Sequence, residues 1–107
     1  LYTVGAKSGL ERVTPLFFLR DQDKILLVAS NGGNTRNPGW VSNIRAHPAV
    51  KVRIKREEIK MEARFVDAQE RERYWPILTQ MFPTWAKAQD ASARSFPIAV
   101  LERRRAD

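Results

Sequence analysis

From Val50 to Phe65 the chain alternates strictly. Val50, Val52 and Ile54 fall on one side of an extended backbone and Lys51, Arg53 and Lys55 on the other; beyond Arg56 and Glu57, the set Ile59, Met61, Ala63 and Phe65 opposes Glu58, Lys60, Glu62 and Arg64. Successive side chains of a strand point to opposite faces, so this period of two specifies two strands with one apolar and one wet face each. The interruption at Arg56 and Glu57 leaves room only for a tight turn, which predicts a β-hairpin whose charged rows form a solvated face with cross-strand pairs. Such a hairpin must be covered on its apolar face, and the rest of the chain has to supply the cover.

Residues 1–4, 13–20 and 24–30 read as short β-rich runs, separated by a glycine-containing loop at 5–12 and a polar turn at Asp21, Gln22 and Asp23; together they predict a three-strand meander. The run FPIAVL at 96–101 reads as a last buried strand before an exposed tail. Asn37 followed by Pro38 signals a helix N-cap with proline at the first helical position, and the helix should continue through Val41, Ile44 and Arg45 until His47 and Pro48. Asp67 and Glu70 have capping-box spacing ahead of a helix carrying Tyr74, Ile77, Leu78 and Met81, with Pro76 predicting a kink or an early break. After a loop at 81–84, residues 85–94 read as a further helix. Six or so strands, mostly antiparallel by their short links, with two or three helices in the connections, predict a mainly β fold in the form of a small barrel. No internal repeat or low-complexity segment interrupts it.

A chain of 107 residues, 43% hydrophobic, suffices for one core and hence for a single domain over 1–107. It starts at Leu1 with a strand already under way, so the natural protein is expected to extend upstream, where a signal or membrane anchor could lie. The absence of cysteine excludes a disulfide framework and a thiolate metal site, and no apolar run approaches the roughly 18 residues of a spanning helix. A reducing, cytoplasmic setting is the expectation, peripheral to the inner face of the cell membrane if an upstream segment anchors it. Nineteen Lys+Arg against twelve Asp+Glu give a net charge of +7, which favours an anionic partner: nucleic acid, an acidic membrane surface, or a phosphorylated or polycarboxylate ligand.

The loop at 5–12 concentrates chemistry suited to such a partner. Gly5 and Gly9 allow a tight fold that brings backbone N–H groups near an anion, and Lys7, Ser8 and Arg12 place two charges and a hydroxyl at its rim. The spacing is not that of the P-loop, and no G-x-G-x-x-G occurs. A second small-residue loop, Ser30, Asn31, Gly32, Gly33 and Asn34, runs by Arg36 into the predicted helix start. Small side chains there would let a flat ring lie against the backbone, and the helix N-terminus would favour an anion.

Taken in order, G-x-K-S-G-x-x-R-x-x-P-L-x-F-L (from Gly5), V-A-S-x-G-G (from Val28), N-P-x-W (from Asn37), H-P-x-V (from His47), Y-W-P (from Tyr74) and F-P-I-x-V (from Phe96) span nearly the whole chain. This collinear set resembles the deazaflavin-dependent nitroreductase family. The resemblance implies a split β-barrel related to the oxidoreductases that bind flavin mononucleotide, and it implies coenzyme F420, a deazaflavin with a phosphate and a polyglutamate tail. The implied chemistry is hydride transfer to small-molecule acceptors such as quinones, enones or nitro compounds, with no catalytic side chain required because the coenzyme supplies the hydride.

Carried over by position, Ala6, Lys7, Ser8 and Arg12 would contact the phosphate and tail, and Val13, Thr14, Pro15, Leu16 and Phe17 would line the ring and ribityl region. Val28, Ala29, Ser30 and Asn31 would offer hydrogen bonds to the ring, and Gly39, Trp40, Val41, Ser42 and Asn43 would complete the phosphate site. Ser30, Phe82, Trp85 and Ala88 would meet the acceptor. Two departures from the family stand out: Asn31 replaces a lysine of some relatives, and Phe17 a tyrosine. The region around Phe82, where the nitroimidazole-activating member has several tyrosines, is aromatic here but nearly without hydroxyls.

Two other functions are compatible with the charge and the barrel. One is a flavin-mononucleotide reductase or non-catalytic flavin carrier of the same barrel class. The other is a nucleic-acid-binding β-barrel, which would need aromatics exposed along its strands beside a continuous basic groove; the hairpin offers mixed charges instead, so nucleic acid is not the expected partner. The single histidine, His47, reads as a C-terminal helix cap rather than a base, and Tyr74 and Trp75 read as core.

Overall fold

The computed structural model describes residues 1–30, 36–92 and 94–103. In chain order the elements are β1 (Tyr2–Val4), β2 (Glu11–Val13), β3 (Leu19–Asp21), β4 (Lys24–Val28), α1 (Gly39–Ala46), β5 (Ala49–Ile54), β6 (Glu57–Phe65), α2 (Ala68–Met81), α3 (Pro83–Asp90) and β7 (Ile98–Arg103). The strands form one antiparallel sheet in the order β2-β1-β5-β6-β7-β4-β3.

That order forces the sheet to curl. In a flat sheet the edge strands β2 and β3 would lie six strand spacings apart, about 29 Å. Val13 ends one edge and Leu19 begins the other, and six residue steps reach at most about 21 Å. The two edges therefore come together, and residues 14–18 cross the gap between them. The result is an open barrel, mainly β as the sequence pattern predicts and of the split class that the family resemblance implies, with seven strands and three helices among the described residues.

The predicted hairpin is β5–β6, with Val50 opposite Met61, Val52 opposite Ile59 and Lys55 at a positive φ of 58° in the turn. Arg53 faces Glu58 as a charge pair should, but Lys51 faces Lys60. Lys51 turns instead to Glu11, 3.4 Å away, and lies over the Tyr2 ring.

The three-strand meander does not form. β1 pairs with β2 and β5, β3 pairs with β4, and the two halves of the expected strand at 13–20 end on opposite edges. Pro15 sits where that strand breaks, and proline cannot donate to a ladder.

β4 and β7 are covered on both faces. Ile25, Leu27, Ala99 and Leu101 join Trp40, Val41 and Ile44 of α1 and the hairpin's apolar row, while Leu26, Val28, Ile98 and Val100 pack with Tyr74, Leu78, Trp85 and Phe96 on the side of α2 and α3. Double-sided burial is why these strands read as continuous apolar runs while the hairpin alternates.

The helices start and stop differently from the sequence reading in three places. α1 is capped by Pro38 rather than Asn37, and no side chain bonds its first turn; His47 is the C-cap, as expected. α2 begins on Asp67, which accepts from the Glu70 N–H at 2.9 Å, and it continues through Pro76 without an early break because Tyr74 and Leu78, on either side of the proline, are anchored in the core. Only Phe82 separates α2 from α3, where Pro83 takes the first helical position. β7 starts at Ile98 and runs on to Arg103, two residues past the expected end, because Glu102 and Arg103 still find partners on β6.

Candidate functional site

The β1–β2 connection is wound tightly on itself. The Gly5 N–H donates to Leu10 O at 2.7 Å, the Gly9 N–H donates to Gly5 O at 2.9 Å, and Ser8 Oγ accepts from the Leu10 N–H at 3.2 Å. Gly9 has φ +70°, which favours glycine there, and a Cβ at Gly5 would come within 2.4 Å of Ser8 Oγ and make that side chain give way.

Asn43, from the middle of α1, fastens the loop down. Its Oδ1 accepts from the Ala6 N–H at 3.0 Å and its Nδ2 donates to Thr3 Oγ1 at 3.1 Å, where Thr3 is only 2% exposed. Asn43→Ala would strand a buried hydroxyl and release the loop, so it is expected to cost about 1–2 kcal/mol of stability, read as a lowered denaturation midpoint with unchanged slope.

Between β2 and the start of α1 lies a cavity of about 790 Å³, lined by Glu11, Arg12, Val13 and Thr14 on one side and Arg36, Asn37, Pro38, Gly39, Trp40 and Asn43 on the other. The volume is that of a cofactor or large small-molecule site. Arg12 and Arg36 bring two exposed guanidiniums, whereas the one acidic lining residue, Glu11, is paired with Lys51. With no side-chain cap and no acid in its first turn, α1 presents backbone N–H groups and a partial positive charge to the same space. A Cβ at Gly39 would meet no atom within 4 Å, so the wall is open there. The chemistry of this donor set fits a phosphorylated, acid-tailed cofactor.

The residues carried over from the family fall into four groups. Arg12, Val13, Thr14, Gly39, Trp40 and Asn43 meet in the cavity. Ala6, Lys7 and Ser8 are exposed on the adjoining loop, with the Ala6 N–H already given to Asn43; Ser42 is exposed and Val41 is in the core. Pro15 and Leu16 line a separate apolar pocket of about 230 Å³ with Phe18, Ile25, Leu27, Val52 and Ile54. Val28 is in the β4–β7 ladder, the Ala29 N–H donates to Pro97 O, and the Ala29 and Ser30 carbonyls accept from Arg94. Asn31, with the rest of residues 31–35, lies outside the described residues.

Phe17 is 71% exposed and tilts against Phe82 at 5.1 Å between centroids; Phe82 in turn meets Trp85 at 4.8 Å, and Ala88 packs on the same cluster. One cofactor-assigned residue, Phe17, thus joins two acceptor-assigned ones, Phe82 and Trp85, in a single row.

Sequence reasoning did not assign Glu11, Arg36, Asn37 or Pro38 to the site, although Arg36 and Asn37 sit directly before the helix start that the sequence marks. Arg94 carried no local signal at all, since Asn37, one of its partners, is 57 residues away. Burial draws the Arg94 and Arg71 pKa values below the usual guanidinium range. Among the described residues there is no cluster of His, Cys, Asp and Glu that could hold a metal, and no helix long and apolar enough to cross a membrane.

Solved structures of the same shape define the class. A structure of an F420-H2 dependent reductase (FDR-A) superposes with a TM-score of 0.85 over 94% of this chain and 90% of its own, at 33% identity. Another, described as a domain-swapped dimer, gives 0.86 over 94% of this chain and 76% of its own, also at 33% identity. The fold is that of an F420-dependent oxidoreductase, with coenzyme F420 as cofactor. More specifically, the model of the F420H(2)-dependent quinone reductase family matches residues 1–103, and an F420H(2)-dependent quinone reductase of Mycobacterium tuberculosis is 35% identical across 97% of this chain and 72% of its own length. The chain belongs to that family.

Proposed function

We propose that the protein reduces quinones at the expense of reduced deazaflavin, with the coenzyme's phosphate and acidic tail held in the cavity between β2 and α1. The observation that carries this reading is the pairing of Arg12 and Arg36 across the uncapped start of α1, in a space large enough for a cofactor. When bound, the reduced coenzyme supplies the hydride, so the chain's own work is to bind, orient and exclude water. Arg12, Arg36 and the first turn of α1 hold the anionic end, Val13, Thr14 and Trp40 flank the ring side, and Ser30, Phe17, Phe82, Trp85 and Ala88 receive a flat acceptor. Enones and nitro compounds are secondary acceptors on the same geometry. A cytoplasmic setting at the inner membrane face, where apolar quinones are reached, fits this reading.

A nucleic-acid surface is disfavoured by the charged side of the sheet, where Arg53 faces Glu58, Lys51 pairs with Glu11 and Arg64 with Glu102, mixing charge in place of a basic groove. The test is a fluorescence titration of the purified protein with coenzyme F420 and with flavin mononucleotide. Binding should favour the deazaflavin, strengthen with the number of tail glutamates and weaken with salt, since exposed charges are screened. Tighter binding of flavin mononucleotide would return the function to the flavin-reductase alternative.

A further inference from the structure

The segment leading into β7 is held from two directions, by α3 and by α2. Gln89, in the last turn of α3, donates through Nε2 to Arg94 O at 2.7 Å and accepts through Oε1 from the Phe96 N–H at 2.9 Å and from Arg71 Nη2 at 3.1 Å. Arg71 of α2 also donates to Phe96 O and lies over Trp75. So anchored, Arg94 reaches forward. Its Nη1 donates to Ala29 O at 2.9 Å and to Asn37 Oδ1 at 2.9 Å, its Nη2 donates to Ser30 O at 2.7 Å, and its guanidinium lies over the Phe96 ring. One planar fork thus joins the end of β4 to the residue that precedes Pro38 and lines the cavity.

We propose that Arg94, oriented by Gln89, is a positioning residue that sets the lip of the cofactor cavity and ties it to α3, the helix carrying Trp85. It acts through Asn37 on the cavity wall and through Ala29 and Ser30 on the strand end. This role rests on the reading of the cavity as the deazaflavin site. Lysine cannot replace the fork, because a single ammonium on a flexible stem cannot span three oxygens on two separate segments. Gln89 makes the lip and α3 move together: its side chain bonds the backbone on both sides of Ser95, while its own backbone belongs to the helix that presents the acceptor face.

The experiment compares the parent with Arg94→Lys and Gln89→Met in two measurements. The first is amide hydrogen exchange in the cofactor-free protein; the second is the dissociation constant for coenzyme F420, with kcat and KM for menadione at saturating coenzyme. Arg94→Lys should speed exchange at residues 28–30 and 36–41 while leaving the β5–β6 hairpin at parental rates. It should also raise the dissociation constant about tenfold, the equivalent of one lost charge-assisted contact. Gln89→Met should act in the same direction on exchange at residues 36–41 and should raise the KM for menadione more than it lowers coenzyme affinity. Uniform acceleration that includes the hairpin would make Arg94 a general stabiliser and overturn the proposal, as would parental exchange and affinity in Arg94→Lys. A parent that fails to bind the coenzyme while Arg94→Lys still loosens the lip would instead refute the cofactor reading and leave the lip's anchorage standing.

Discussion

Arg12→Ala is expected to raise the dissociation constant for coenzyme F420 at least tenfold while leaving the melting temperature within a few degrees of the parent. The two halves of that expectation have different sources. Arg12 is exposed on the edge strand β2, and no hydrogen bond or ion pair to a described residue holds its side chain, so truncating that side chain takes little from the fold. In the cavity it stands opposite Arg36 and the start of α1, where its fork can meet a phosphate or carboxylate with two parallel N–H bonds. A charge-assisted contact contributes about 1.5–3 kcal/mol, and each 1.4 kcal/mol is about tenfold in affinity. Arg12→Lys keeps the charge and loses the fork, so it should fall between the parent and Arg12→Ala. Calorimetric titration of both variants at low and physiological salt is the check. Parental affinity in both would make Arg12 a surface residue and move the anionic site to Arg36 and α1 alone.

How far the sequence reveals such a site depends on the range over which each contact acts. The β5–β6 hairpin is readable because strand period and turn are local: a slip of one residue would turn Val50, Val52, Ile59 and Met61 to solvent, so the register is set within the segment itself. The continuous apolar runs of β4 and β7 announce burial on both faces, but not which strand lies beside which. The β2–β1 and β4–β3 edges meet only through the curl of the whole sheet, and nothing in residues 13–20 except Pro15 marks where the chain leaves one edge for the other.

The site follows the same division. Arg12 and Gly39 lie in stretches whose local chemistry suggests an anion, and the structure brings them to one cavity. Lys7 and Ser8, from the same glycine loop, lie outside the lining because Asn43 folds that loop onto α1 through a contact no local pattern encodes. Arg94 is the limiting case: its partners Ala29, Ser30 and Asn37 are all more than fifty residues away, and family resemblance does not point to it.

With reduced coenzyme F420, menadione should be turned over readily and bicyclic nitroimidazole prodrugs weakly or not at all. A quinone taking a hydride needs a flat apolar slot and a proton that solvent can supply, whereas a bulky nitroimidazole gains from a hydroxyl placed to orient the ring and protonate it. The row Phe17–Phe82–Trp85 supplies the slot without a hydroxyl. Both tyrosines of the chain are committed elsewhere: Tyr74 is 2% exposed in the core with its hydroxyl accepting from Arg73 Nη2, and Tyr2 lies on β1 under Lys51. Thr79 Oγ1 is turned inward to the Trp75 carbonyl of its own helix. Ser30 brings a hydroxyl to the end of β4, and Arg94 already fixes its backbone. Positioned acid–base groups contribute on the order of 100-fold or more to a proton transfer, so the missing hydroxyl is enough to separate the two acceptors. Phe17→Tyr offers the converse test at an exposed position, where stability should change by no more than about 0.5 kcal/mol. It should raise nitroimidazole turnover while leaving menadione reduction near the parent rate. Steady-state oxidation of the reduced coenzyme with each acceptor decides between the outcomes, and a parent that consumes the nitroimidazole faster than menadione would show that the bare aromatic row does not set acceptor choice.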